Sequence, residues 1–243
     1  MLAAALVVIA MVAAGVVVIP RLLSRPAERA APPAKLTTKN SAGRDGAYFL
    51  PSHYEGQKLP LLVVLHSSSS SGASMVEWLR ESAERERFII VAPDSRVAPS
   101  GEATWEVGDT LSAPKTGDFT HVQRCVDEVL AMPGVEINAT HVLIAGHSGG
   151  ASSAPYIASW DDRYTEFAVL HGGAWPGGLG PHKVRGWFST GTTDTMRPLA
   201  GVQATAEGVR RVGFMSVEVH TFAGGHGVGD DELRALLAWW LGR

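Results

Sequence analysis

The stretch His141-Val142-Leu143-Ile144-Ala145 is short and mostly apolar, which reads as a buried strand, and it runs straight into Gly146-His147-Ser148-Gly149-Gly150. Ala151-Ser152-Ser153-Ala154 follows at once and opens a helix. A chain that passes from strand to helix in so few residues must turn sharply. Such a turn holds Ser148 in a strained backbone conformation with its hydroxyl standing off the end of the sheet, the arrangement called a nucleophile elbow. Glycines on either side are needed because a side chain there would meet the neighbouring strand or helix. The amides that begin the helix point back at the site and favour negative charge developing there. Alone, G-x-S-x-G also describes an ordinary Ser/Gly turn. The strand before it and the small residues after it select the elbow.

A serine hydroxyl is a poor nucleophile until a base takes its proton, and the base needs an acid to orient it. Residues 184–191 read as a strand and lead into Thr192-Thr193-Asp194, which places an acid just past the carboxyl edge of a sheet. Residues 215–222 alternate small or apolar residues with polar ones and end in Ala223-Gly224-Gly225-His226-Gly227. Ser148, Asp194 and His226 are therefore the candidate catalytic residues. The rivals fit less well. His220 lies inside the last strand, and His171 follows the strand-like run Phe167-Ala168-Val169-Leu170 but precedes Asp194, against the order Ser, acid, His. His147 adjoins the serine and borders the site, a candidate substrate contact, although its side chain is expected to point away from that of Ser148. His53, His121, His141 and His182 stand among polar residues and are expected at the surface. Asp161 and Asp162 are fallback acids in a segment that reads as helix end and loop.

A developing oxyanion needs two amides. Gly149, the residue after the serine, supplies one; the other is expected in an earlier strand-to-helix loop. Leu61-Leu62-Val63-Val64-Leu65 is a continuous apolar strand, and His66-Ser67-Ser68-Ser69-Ser70-Ser71-Gly72 follows it. Ser68 is the candidate second donor, with Ser67 beside it. A run of serines also fits a flexible low-complexity loop.

With these residues in view, the chain resembles the α/β-hydrolase superfamily. More narrowly it resembles small lidless esterases of the carboxylesterase/phospholipase and poly(3-hydroxybutyrate) depolymerase/feruloyl esterase groups. The likeness covers roughly residues 44 to 243. It rests on Lys58-Leu59-Pro60 leading into LLVVLH, on Phe88-Ile89-Ile90-Val91-Ala92-Pro93-Asp94, on GHSGG, on STGTTD and on FAGGHG. It implies Ser148 as nucleophile, His226 as base and Asp194 as acid, acting on carboxylic esters through an acyl-enzyme without a cofactor. These families read LHG where this chain reads Leu65-His66-Ser67. Glycine there lets the backbone turn its amide toward the oxyanion, a conformation serine reaches less easily.

The fold expected is a mostly parallel, twisted α/β sheet with helices on both faces, since strand-like and helical runs alternate. Helices are expected over residues 75–86, 119–132, 150–160, 199–212 and 231–241, the last capped by Asp230. The 243 residues are 45% hydrophobic, enough for one buried core. The single cysteine, Cys125, lies on an apolar helix face and belongs to packing. No HExxH pattern, cysteine pair or cluster of acids points to a metal. Trp105, in the loop after the second apolar strand, and the loop at Trp175 are candidates to shape the substrate cleft, Trp105 fitting a packed loop anchor equally well. No insertion is long enough for a large lid, so small or polymer-end esters fit better than bulk triglyceride.

Residues 2–19 carry no charge, a length near the lower end of what crosses a bilayer. The expected organisation is a membrane anchor or signal segment over 1–20, a hydrophobic helix, then a basic Pro/Ala-rich tether over 21–43 and the catalytic domain over 44–243. Residues 21–44 hold six basic groups and one acid, a net +5, so with a chain total of −3 the remainder carries −8. An acidic domain argues against nucleic acid as a partner. The basic flank alone would keep the domain cytoplasmic; the resemblance to exported esterases argues for the opposite side, and the extracytoplasmic side is expected. A serine peptidase or thioesterase with the same triad, or a non-catalytic binding protein on the same fold, would share most of these features.

Overall fold

Along the central strands apolar side chains alternate between two faces, and each face finds its own helices. Leu61, Val63, Leu65, Val142, Ile144, Phe167 and Val169 join one core with Val122, Val126, Val129, Ile157, Val202, Ala206 and Val209. Leu62, Val64, Ile90, Leu143 and Ala168 are buried too and project to the other face. Burial on both faces explains why these strands read as continuous apolar runs.

The computed structural model describes residues 33–106, 116–214 and 216–243. Within them eight strands form one sheet: β1 (Ala34–Lys35), β2 (Gly46–Phe49), β3 (Lys58–Leu65), β4 (Ile89–Pro93), β5 (Glu136–His147), β6 (Glu166–Leu170), β7 (Arg185–Gly191) and β8 (Val217–Phe222). The helices are α1 (Gly72–Glu86), α2 (Gly117–Leu130), α3 (Ser153–Trp160), α4 (Leu199–Arg211) and α5 (Asp230–Leu241). The strand order is β1-β2-β4-β3-β5-β6-β7-β8. From β4 to β8 every neighbouring pair is parallel; β1 and β2 add an antiparallel edge.

After β3 the chain crosses through α1 to β4 on one side, and after β5 it crosses through α3 to β6 on the other. The loops leaving β3 and β5 therefore diverge from adjacent strands. A crevice opens between them at the carboxyl edge, where open α/β sheets bind ligands. The register makes this concrete: Leu65 pairs with Gly146 and His147 with Leu170. Ser148 and His171 thus leave β5 and β6 at the same level, and His66 leaves β3 one residue earlier.

Several expectations change in detail. The tether does not extend to residue 43: Ala34 and Lys35 pair with Tyr48 and Ala47, and Leu36 is buried in the core. Short edge strands with little apolar content leave no clear periodicity. The cap of α5 is Gly229 rather than Asp230. His121 is buried, packed near Cys125 and the Asp45 carbonyl, because α2 turns that face inward despite polar neighbours in sequence. The expected apolar anchor and most of the tether lie outside the described residues. Among the described residues no helix is long and apolar enough to cross a membrane.

Candidate active site

Ser148 begins a single 3-10 turn, Ser148–Gly150, between β5 and α3, with φ 51°. A non-glycine residue in this left-handed region costs roughly 1–2 kcal/mol, which the surrounding packing must offset. The flanking glycines show what forces the turn. A Cβ on Gly146 would lie 2.3 Å from the Gly150 carbonyl oxygen, and one on Gly150 would lie 2.6 Å from that of Leu65. The helix proper starts at Ser153, three residues beyond the expected position, because the turn comes first.

His226 reaches this serine from the loop after β8, and Asp194 from the loop after β7. His226 Nε2 is 2.8 Å from Ser148 Oγ, and His226 Nδ1 is 2.9 Å from Asp194 Oδ2. Three side chains separated by dozens of residues form one hydrogen-bonded row. His226 is 22% exposed while the Asp194 side chain is fully buried, so the row runs from the solvent edge inward. Asp194 Oδ1 accepts from the amides of Met196 and Arg197 at 2.9 and 2.8 Å. Burial pushes the Asp194 carboxyl up, but hydrogen bonds from His171, the Arg197 amide and His226 outweigh it. They hold the group well below the usual carboxylate range. Asp161, the fallback acid, is bound to Arg163 and Gln123 and lies outside this row.

The second histidine on Asp194 is His171. Its Nδ1 lies 2.8 Å from the same Oδ2, and its Nε2 lies 3.0 Å from Glu232 Oε2. Glu232 also accepts from the Ser189 hydroxyl at 2.6 Å. Sequence order excluded His171 as the base, and that reasoning carries no information about what touches the acid. Glu232 is one of three acids in the first turn of α5, so in sequence it resembles a helix-end charge. His171, Asp194 and His226 also make up a set with metal-ligand spacing among the described residues. Both Nδ1 atoms face the carboxylate at N–H···O distances and offer no lone pair to an ion.

Opposite the base, Gly149 and Ser68 approach closely. A Cβ on Gly149 would lie 3.0 Å from the Ser68 nitrogen and 2.6 Å from its hydroxyl. The intervening loop is held at many points. His66 is fully buried; its Nε2 accepts from the Ser95 amide at 3.0 Å, which leaves Nδ1 as the donor to the Ser67 carbonyl at 2.7 Å. Burial lowers the His66 pKa, in keeping with a neutral ring. The Ser67 carbonyl also accepts from the Ser70 amide. In a trans peptide the N–H points opposite to the C=O, so pinning the Ser67 oxygen aims the Ser68 amide the other way. Asp94 accepts from the Gly72 amide at 2.7 Å and pairs with Arg44, which donates to the Ser70 carbonyl at 3.0 Å. Ser69 takes the left-handed conformation, φ 59°, and its amide donates to the Ala103 carbonyl. The strained residue of this loop is thus Ser69, and Ser67 stays out of that region.

Two expected substrate contacts are engaged otherwise. Trp105 is 1% exposed, and its indole N–H donates to the His66 carbonyl at 2.8 Å, so it braces the serine loop from within the core. His147 directs Nε2 to the His226 carbonyl at 3.0 Å and packs its ring against those of His171 and His226. Burial lowers its pKa. The hydrogen bond ties it to the loop that carries His226.

No family model and no curated protein matches the sequence. Solved structures do match. Acetyl xylan esterase from Aspergillus awamori superimposes with TM-score 0.67 at 15% identity, covering 87% of this chain and 99% of that one. Esterase PE8 gives 0.56 at 19% identity over 80% and 96%. An acylaminoacyl peptidase from Pyrococcus horikoshii gives 0.59 at 15% identity, over 86% of this chain but 40% of its own. The fold is that of the α/β-hydrolases. At such identities the likeness concerns the backbone; the α/β-hydrolase fold places Ser148, Asp194 and His226 on loops after β5, β7 and β8, but the chemistry has to be argued from this chain's own side chains.

Proposed function

We propose that this α/β-hydrolase-fold chain is a serine esterase acting through Ser148, His226 and Asp194. The observation that carries the reading is the unbroken row from Ser148 Oγ through His226 to Asp194, with hydrogen bonds of 2.8 and 2.9 Å. His226 Nε2 accepts the hydroxyl proton as Ser148 Oγ attacks the ester carbonyl carbon. The carbonyl oxygen becomes an oxyanion between the amides of Gly149 and Ser68. His226 then returns the proton to the departing alcohol, leaving an acyl-serine. A water gives its proton to His226 and attacks the acyl carbon; the acid leaves and Ser148 regains its proton. Asp194 stays ionised throughout and holds the Nδ1–H tautomer.

Exposure of Ser68 and partial exposure of His226 fit an open site for small or polymer-end esters, with no cofactor. The same triad serves amide bonds, and the likeness to an acylaminoacyl peptidase keeps that second reading in view. The apolar residues 2–19 would tether the enzyme to a membrane, with the domain on the extracytoplasmic side.

The test is a fluorophosphonate probe. Wild type is expected to label and Ser148→Ala to stay unlabelled. A folded wild-type protein that takes no label at any pH removes the esterase reading and leaves a binding protein on a hydrolase fold. Initial rates on p-nitrophenyl esters of increasing chain length, set against an N-acyl amino-acid p-nitroanilide, then decide between ester and amide substrates.

A further inference from the structure

We propose that His171 and Glu232 form a second imidazole–carboxylate pair that carries a proton behind Asp194 and fixes that carboxylate. The inference rests on the esterase reading only where it concerns catalysis. The pair itself stands on geometry.

His171 is fully buried between two carboxylates, 2.8 Å from Asp194 and 3.0 Å from Glu232. A neutral imidazole has one N–H and one lone pair, so it can satisfy only one ionised carboxylate. Two ionised acids on its two nitrogens require a proton on each. The alternative is a protonated Glu232, and the surroundings disfavour it. Glu232 stands in the first turn of α5, where the helix dipole favours an anion, and it already accepts from Ser189 Oγ at 2.6 Å. The proton therefore resides on the ring. Burial lowers the His171 pKa, and the hydrogen bonds to Glu232 and Asp194 more than reverse this, raising it above the ordinary value.

The titratable groups facing His171 are Asp194 after β7, Glu232 on α5, His147 at the end of β5 and His226 after β8. His147 stays neutral, being lowered by burial, and adds no competing charge. The ring of His226 lies 5.6 Å from that of His171. Both Nδ1 atoms meet the same Asp194 oxygen, so the two rings fix one carboxylate between them. His171 touches no reacting atom, so it is a positioning residue. Its effect is to hold the Asp194 carboxylate, and through it the His226 ring, in one orientation.

The test has two arms. In wild type labelled with 15N-histidine, one ring is expected to remain doubly protonated at a pH where an ordinary imidazole has lost its proton, and this signal should vanish in Glu232→Gln, whose amide can donate to a neutral His171. This arm needs no catalysis. In the second arm, the rate of fluorophosphonate labelling and kcat/KM on p-nitrophenyl acetate are followed against pH. Glu232→Gln and the double variant His171→Asn/Glu232→Gln are expected to lower the plateau of both profiles. The plateau kcat should fall several-fold while KM changes less. Wild type with no persistent imidazolium overturns the proposal, and needs no variant to fold. So does a plateau kcat that both variants leave unchanged while labelling continues. Wild type that never labels defeats the esterase reading instead, and the first arm still decides where the proton sits.

Discussion

His66 and His171 occupy matching positions on either side of the serine strand, the first residues beyond β3 and β6. Both are fully buried, and both use each ring nitrogen in a hydrogen bond. Their partners differ. His66 meets one carbonyl and one amide, a donor and an acceptor that a neutral ring satisfies completely. His171 meets two carboxylates, which a neutral ring cannot satisfy. One histidine is a rigid strut for the loop after β3; the other, on our proposal, is a buried charge. Identity and burial do not determine what a histidine does. The sign of its two partners does.

The largest effect should come from breaking the charged side at its centre. Asp194→Asn replaces the acceptor shared by both imidazoles with an amide that can donate, favouring the wrong His226 tautomer. Loss of about 10⁴-fold in kcat is expected from the tautomer effect alone. The hydrolysis rate of p-nitrophenyl acetate measures it, and a loss below tenfold would mean that Asp194 does not orient the base.

Breaking the neutral side should cost less and in a different way. His66→Ala leaves the Ser95 amide and the Ser67 carbonyl without their ring partner, at about 1–3 kcal/mol for each buried group. The Ser68 amide then loses its fixed aim, and kcat should fall on the order of a hundred-fold, as when one oxyanion donor is removed. The acid limb of the pH profile should not move, because no charge has changed. Urea unfolding and a pH–rate series check both halves. A shifted limb would show that His66 also carries a proton.

Much of this geometry was legible in the chain. The elbow, Asp194 and His226 each end or follow a strand-like run, and local patterns locate such positions. What escaped was the layer behind them. His171 was set aside on chain order, which concerns the base and not the acid's other neighbours. Glu232 looked like a helix-end charge, and only the packing of α5 under the sheet turns it inward. Trp105 fits a cleft residue or a packed loop anchor equally well in sequence, because its loop leaves the carboxyl edge of the sheet. Whether a side chain faces a cleft or a core depends on contacts between distant segments. The departure at Ser67 had the same limit: the loop places its left-handed residue at Ser69 and aims the next amide through His66, which no single-residue rule foresees.

The two histidines also pull stability in opposite directions with pH. The folded value of His171 lies above its unfolded 6.5, so its contribution is fully present below pH 6.5 and is lost as pH rises through the folded value. The folded value of His66 lies below 6.5, so its contribution is present above pH 6.5 and is lost as pH falls toward the folded value. Asp194 is depressed below 3.8, and its contribution disappears in acid, below about pH 4. The advantage of wild type over Glu232→Gln, read from urea midpoints, should therefore be greatest near pH 6 and shrink toward pH 9. A difference that stays constant across that range would mean that His171 does not titrate there.

The smallest effect separates bracing from recognition. Trp105→Phe keeps an aromatic ring in the core but removes the N–H that the His66 carbonyl accepts. One buried carbonyl left unpaired costs about 1–3 kcal/mol, nearer the lower figure if the backbone relaxes. Because the indole is 1% exposed, it has no surface to offer an acyl chain, and KM for esters should stay within about twofold. The fall should appear in the urea midpoint and, through a looser Ser67–Ser68 peptide, as a modest drop in kcat. A KM that climbs with chain length while the midpoint holds would return Trp105 to the cleft. It would also mean that the loop opens when substrate arrives, and that the neutral strut yields where the charged pair behind Asp194 does not.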